Sequence, residues 1–164
     1  MTRSAWSLMA IVGWSFVAPA AALAAPTPPA STNPDVACHG VRDADSQIGL
    51  FTDARNIVRY QRLTPRQPAS ETETAESRGG VRIFLTARPG MTPEWLQRIA
   101  ECHIAREIAK RYQDATQSPL DVPGITVSVT STGDGFAVDL LADTAKAADE
   151  LVRRTTRVAK PAGS

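Results

Sequence analysis

Three stretches predict an α+β domain, a two-layer sandwich in which an antiparallel sheet of three to four strands carries two helices on one face. Val81, Ile83 and Leu85 alternate with Arg82, Phe84 and Thr86, and Ile125, Val127 and Val129 alternate with Thr126, Ser128 and Thr130. Period-two alternation marks a strand with one buried face. Between the two lies the longest helical signal of the chain, from Gly90-Met91-Thr92-Pro93 to Gln113.

In chain order, Arg3, an apolar run from Ala5 to Ala18 and the small-x-small site Ala22-Leu23-Ala24 make residues 1–24 a secretory signal peptide of bacterial type, cut before Ala25. The apolar run falls short of the about 20 residues that a membrane span requires, so no membrane span is expected after signal removal. Removal takes Arg3 with it and leaves 17 basic side chains against 17 acidic ones. A secreted or periplasmic protein of balanced charge has no electrostatic reason to bind nucleic acid.

Residues 25–37, Pro-rich from Pro26 to Pro34, read as an extended, disordered tether. Lipid attachment at Cys38 is set aside because this stretch separates it from the apolar run. Residues 38–80 read as a weakly structured N-terminal segment, with β-branched and aromatic content for an edge strand over 56–63 and a polar, mobile loop over 64–80. Asp43-Ala44-Asp45-Ser46-Gln47 resembles the start of a calcium loop, but Ile48 stands where the glycine belongs and Ala54 where the last glutamate belongs.

The core domain spans 81–158, with a disordered tail at 159–164. Its first helix is capped by Thr92, with Pro93 at the first position and Met91 and Leu96 as a hydrophobic staple. Its apolar residues, Leu96, Ala100, Ile104, Ile108 and Tyr112, recur every four positions, so the stripe winds around the helix. Glu94 with Arg98 and Glu107 with Arg111 form pairs on a solvated face. Gly133-Asp134-Gly135 turns the second strand into a return strand carrying Phe136, Val138 and Leu140. Asp143 or Thr144 caps a last helix buried through Ala148, Leu151, Val152 and Thr155, while Arg153, Arg154, Arg157 and Lys160 complement its dipole. Strand, helix, strand, strand, helix is a ferredoxin-like order lacking its last strand, which residues 56–63 could supply from the other end of the chain. The opposite sheet face, with Arg82, Thr126, Ser128, Thr130, Asp139 and one exception in Phe84, stays wet.

Gly90-Met91-Thr92, Val122-Pro123-Gly124-Ile125 and the helix from Ala147 to Val152 resemble the layout of heavy-metal-associated domains over Val81 to Val158. The resemblance implies a ferredoxin-like sandwich. The family's metal-binding Cys-x-x-Cys should follow Gly-Met-Thr, where this chain has Pro93 and Leu96, so metal transfer is not carried over.

Chemistry-bearing residues are few. The chain has two cysteines and two histidines, in the dipeptides Cys38-His39 and Cys102-His103. In an oxidising compartment a single pair of cysteines is most simply a disulfide, Cys38 to Cys102. If reduced, Cys38, His39, Cys102 and His103 are the candidate ligands for zinc or copper, although adjacent helical residues diverge by roughly 100°. His103 also suits a structural role with Glu107 accepting its N–H. As a nucleophile, Cys102 would need His39 as its base. No catalytic residue or cofactor site is assigned, because no Gly-x-Ser-x-Gly, His-Glu-x-x-His, phosphate-cradling glycine loop or Cys-x-x-Cys is present. The expected function is a non-catalytic exported binding or assembly module whose partner is a protein, met through the open sheet face or a sheet edge. A periplasmic metal-binding protein is the alternative.

Overall fold

The computed structural model describes residues 31–42, 45, 49–65, 79–113 and 117–159. The expected signal peptide over 1–24, the expected tether up to residue 30, residues 66–78 of the expected loop, residues 160–164 of the expected tail and all of the calcium-like stretch except Asp45 lie outside the described residues.

Among the described residues ten elements follow one another: helix α1 (Pro34–Ala37), two 3-10 turns (Gly49–Phe51 and Ala54–Asn56), strands β1 (Ile57–Leu63) and β2 (Gly80–Thr86), helix α2 (Pro93–Ala109), a 3-10 turn (Pro119–Asp121), strands β3 (Ile125–Thr132) and β4 (Gly135–Ala142), and helix α3 (Ala145–Ala159). The four strands form one antiparallel sheet in the order β1-β2-β4-β3. The fold is therefore mixed α+β, and the expected edge strand over 56–63 is present as β1. Gly80 and Gly135 begin the two central strands because any Cβ there would collide with the carbonyl oxygens of Leu140 and Leu85 on the facing strands.

Period-two burial is as the alternation predicts: Val81, Ile83, Leu85, Val127, Val138 and Leu140 are buried on the helix side. They join Leu96, Ala100 and Ile104 of α2 and Ala147, Ala148 and Leu151 of α3 in one apolar cluster. α2 lies over β3, while α3 spans β2, β4 and β1. Tyr60 and Arg62 of β1 reach α3, the phenol sharing a 2.9 Å hydrogen bond with Thr156 and the guanidinium donating to Asp149 at 2.5 Å. Leu50 and Phe51, at 2% and 3% exposure, also enter the cluster. The N-terminal segment thus supplies core side chains that its polar composition did not announce.

Four expectations change. Pro34–Ala37, assigned to the extended tether, forms a helical turn, because the Asn33 side chain accepts from Asp35 N and Pro34 takes the first position. The long helix stops at Ala109 instead of running to Gln113, since Arg111 and Tyr112 adopt left-handed φ values of 52° and 56°. Ile108 and Ala109 are exposed, whereas Glu107 is buried, so the apolar stripe and the charged face both part from the sequence pattern at the last turn. The last helix buries Ala147 in addition to Ala148, Leu151 and Thr155, with Val152 only half-buried; its cap is Thr144, one of the two residues expected, which accepts from Ala147 N at 3.1 Å.

Leu140 is fully buried on central strand β4. Leu140→Ala removes volume from the apolar cluster that both helices join and is expected to cost about 3 to 5 kcal/mol. Urea unfolding followed by circular dichroism measures it, and a loss below about 1 kcal/mol would contradict this core assignment.

Candidate functional site

The two cysteines are joined: their sulfurs lie 2.06 Å apart across 64 positions of sequence. Cys102 is fully buried, Cys38 half-buried and His39 exposed. The bond fastens α1 to the middle of α2 on the side away from the sheet. Cys102 follows Ala100 by two residues, roughly 200° around the helix, and Ala100 faces the sheet. His39 lines a shallow groove with Asp35, Arg98 and Glu101.

His103 does not join that site. Its Nε2 lies 2.6 Å from Oδ1 of Asp121, a carboxylate with 1% side-chain exposure in the connector between α2 and β3. Asp121 therefore takes the role that the sequence reading gave to Glu107. The four candidate metal ligands consequently do not converge: two are bonded to each other, one is exposed and one is paired elsewhere. Among the described residues no group of three His, Cys, Asp or Glu side chains is arranged to hold a metal ion.

Around Asp121 the connector is drawn in by several contacts. Ser118 caps its 3-10 turn by accepting from Leu120 N at 3.2 Å, and its backbone carbonyl accepts from Arg154 of α3 at 3.1 Å. Tyr112 folds back over the end of α2, its N–H reaching the Glu107 carbonyl at 2.9 Å. Burial, and then the carboxylates of Glu107, Asp121 and Asp143, hold its phenol above the ordinary tyrosine value. Glu107 Oε1 lies 3.7 Å from Lys110 Nζ, and its buried Oε2 has no hydrogen-bond partner among the described residues. The basic cluster of α3 is consumed internally: Arg153 and Arg154 both donate to Glu150 and hold its carboxyl at about 2, and Arg157 reaches Gln117.

The sheet face turned away from the helices is the remaining surface of functional interest. The register sets Arg59 opposite Phe84, Gln61 opposite Arg82, and Arg82 opposite Asp139. Arg82 grips Asp139 with two hydrogen bonds of 2.6 Å. The Arg59 guanidinium stacks 3.4 Å from the centroid of Phe84, a cation–π contact that leaves the aromatic half-buried. Across β3 this face continues as Thr126, Ser128 and Thr130. Sequence reasoning singled out Phe84, Arg82 and Asp139 but not Arg59, because a register shift between Ile57 and Arg59 decides which β1 side chains face outward.

At the β3 edge, the Val127 carbonyl accepts from the Gln97 side chain at 2.9 Å, so α2 partly caps that edge. The β1 edge is blunted by its bulge and by exposed Arg59 and Arg62.

No protein-family model, curated protein or solved structure matches this chain.

The His103–Asp121 contact yields a direct test. His103→Ala leaves a buried carboxylate without its imidazole partner and is expected to destabilise the fold by about 2 to 3 kcal/mol. His103→Gln, which can still donate, should recover part of that loss. Chemical denaturation of the two variants checks it, and equal stability of His103→Ala and the parent would contradict the pairing.

Proposed function

We propose that this protein is a non-catalytic, exported binding or assembly module that meets a protein partner through the open face of its sheet. The observation that carries the reading is the outward array of Arg59 on Phe84 beside the Arg82–Asp139 pair, on a face that no described helix covers. Arginine and aromatic side chains are enriched in protein interfaces, and a stacked guanidinium presents a rigid, amphipathic surface at small entropic cost. Both edges of the sheet are partly guarded, which favours the face over strand addition.

Export is supported by the signal-type pattern over residues 1–24 and by the Cys38–Cys102 bond, which suits an oxidising compartment. The architecture reads as ferredoxin-like, with β1 taking the edge that a C-terminal fourth strand would otherwise fill. The order β1-β2-β4-β3, with helices after β2 and β4, supports that reading. The resemblance to heavy-metal-associated domains then concerns layout alone, since Pro93 and Leu96 replace the metal cysteines. Shared topology does not carry function.

A photo-crosslinking amino acid at position 84 of the full chain, expressed with its own leader, tests the proposal. A discrete adduct from position 84, and none from a control at exposed Arg153 on α3, is expected. Identical patterns from both positions would overturn it, as would stoichiometric zinc or copper in the native protein that is lost on Cys102→Ser.

A further inference from the structure

The N-terminal segment over 31–42 buries no side chain. Apart from the 3.5 Å contact of Cys38 Sγ with the Cys102 carbonyl beside the disulfide, its polar contacts among the described residues are local: Asn33 N to Ser31 Oγ, Asp35 N to Asn33 Oδ1, Arg42 to Asp45, and short-range backbone bonds from Val36 to Val41. What it rests on is different in kind. Ile99, Cys102 and Ala105 are 3%, 0% and 1% exposed, yet they stand outside the sheet-side cluster that takes Leu96, Ala100 and Ile104. Helical spacing puts them on the flank and back of α2, where Cys102 is bonded to Cys38 and Ile99 shares a groove with Gly40 and Val41. None of its side chains is fully buried, Pro34, Ala37, Cys38 and Val41 being half-buried, so the segment gains only modestly by staying in place, while ordering it costs backbone entropy. The Cys38–Cys102 bond holds it down.

We infer that this disulfide is a redox latch: reduction by a dithiol releases the segment over 31–42 and uncovers the Ile99, Cys102 and Ala105 strip, while the sheet and its two helices stay folded. The accessibilities of the two cysteines set the order of events. Cys38 is half-buried and Cys102 is fully buried, so a thiolate of the dithiol attacks Cys38. The S–S bond breaks, Cys102 departs as a thiolate and takes up a proton, and a mixed disulfide remains on Cys38. The second thiol of the reductant then displaces Cys38 as a thiolate, which is protonated in turn. The protein gains two electrons and two protons, and the dithiol leaves as a disulfide. The core keeps its own fastening from the N-terminal side, because Leu50, Phe51 and Ile57 are buried in the main cluster and do not depend on α1.

Cys38→Ser in the full chain leaves Cys102 as the one thiol and gives the readout. Its rate of alkylation by N-ethylmaleimide in native buffer is compared with the rate in denaturing urea, alongside far-UV circular dichroism. A native rate less than about a hundredfold slower than the denatured rate, with unchanged circular dichroism, is expected of a segment that opens locally. Greater protection than that, or a variant without native circular dichroism, overturns the latch. The parent protein treated with dithiothreitol and alkylated supplies an independent arm. Two added groups per chain with the native spectrum retained support the latch, and loss of the spectrum on reduction contradicts it.

Discussion

The arrangement depends on one constraint: α2 hides two sides of itself, and only one of them faces the sheet. Leu96, Ala100 and Ile104 enter the core, while Cys102, roughly 200° on from Ala100, is bonded to a segment that packs on the back of the helix. A helix lying on a sheet ordinarily exposes that second side. Here a covalent bond, worth about 4 kcal/mol for a loop of this length in the chain-entropy account, holds the segment around α1 over it. The winding apolar stripe read from the sequence supplies only the sheet side, through Leu96, Ala100 and Ile104; the second side is made by residues outside that stripe, Ile99 and Cys102 among them.

The second organising feature is polar. Asp121, at 1% exposure, sits in a connector drawn against both helices, to α2 through His103 and to α3 through Ser118 and Arg154. A buried carboxylate is expensive unless something donates to it, and the imidazole does. At the neighbouring helix end, two non-glycine residues in left-handed conformation turn Tyr112 back toward Glu107. Such conformations cost about 1 kcal/mol or more each, so tertiary contacts decide where α2 ends.

The strands, the turn at Gly133-Asp134, the Thr92 cap and Ala148, Leu151 and Thr155 of the last helix's buried face were legible because each rests on local chemistry or a simple period. So was the pairing of the two cysteines, through compartment and number. The partner of His103 was not: Asp121 is eighteen residues away, and helical spacing points to Glu107 instead. The Ser118-Pro119-Leu120-Asp121 run did carry a capping signal, a serine followed by proline and, three residues on, an acid, which could have located the turn that delivers Asp121. Arg59 was hidden by a register shift, which no periodic reading detects. Leu50 and Phe51 were hidden by their polar, glycine-punctuated surroundings.

The proposed contact through the open sheet face and the proposed release of α1 both presuppose the Cys38–Cys102 bond, since free thiolates would restore the metal reading. Thiol titration of the denatured, unreduced protein, with its mass taken to exclude an intermolecular dimer, tests that bond most directly. Zero free thiols in a monomer is the result this account predicts, and two reactive thiols per chain would contradict it.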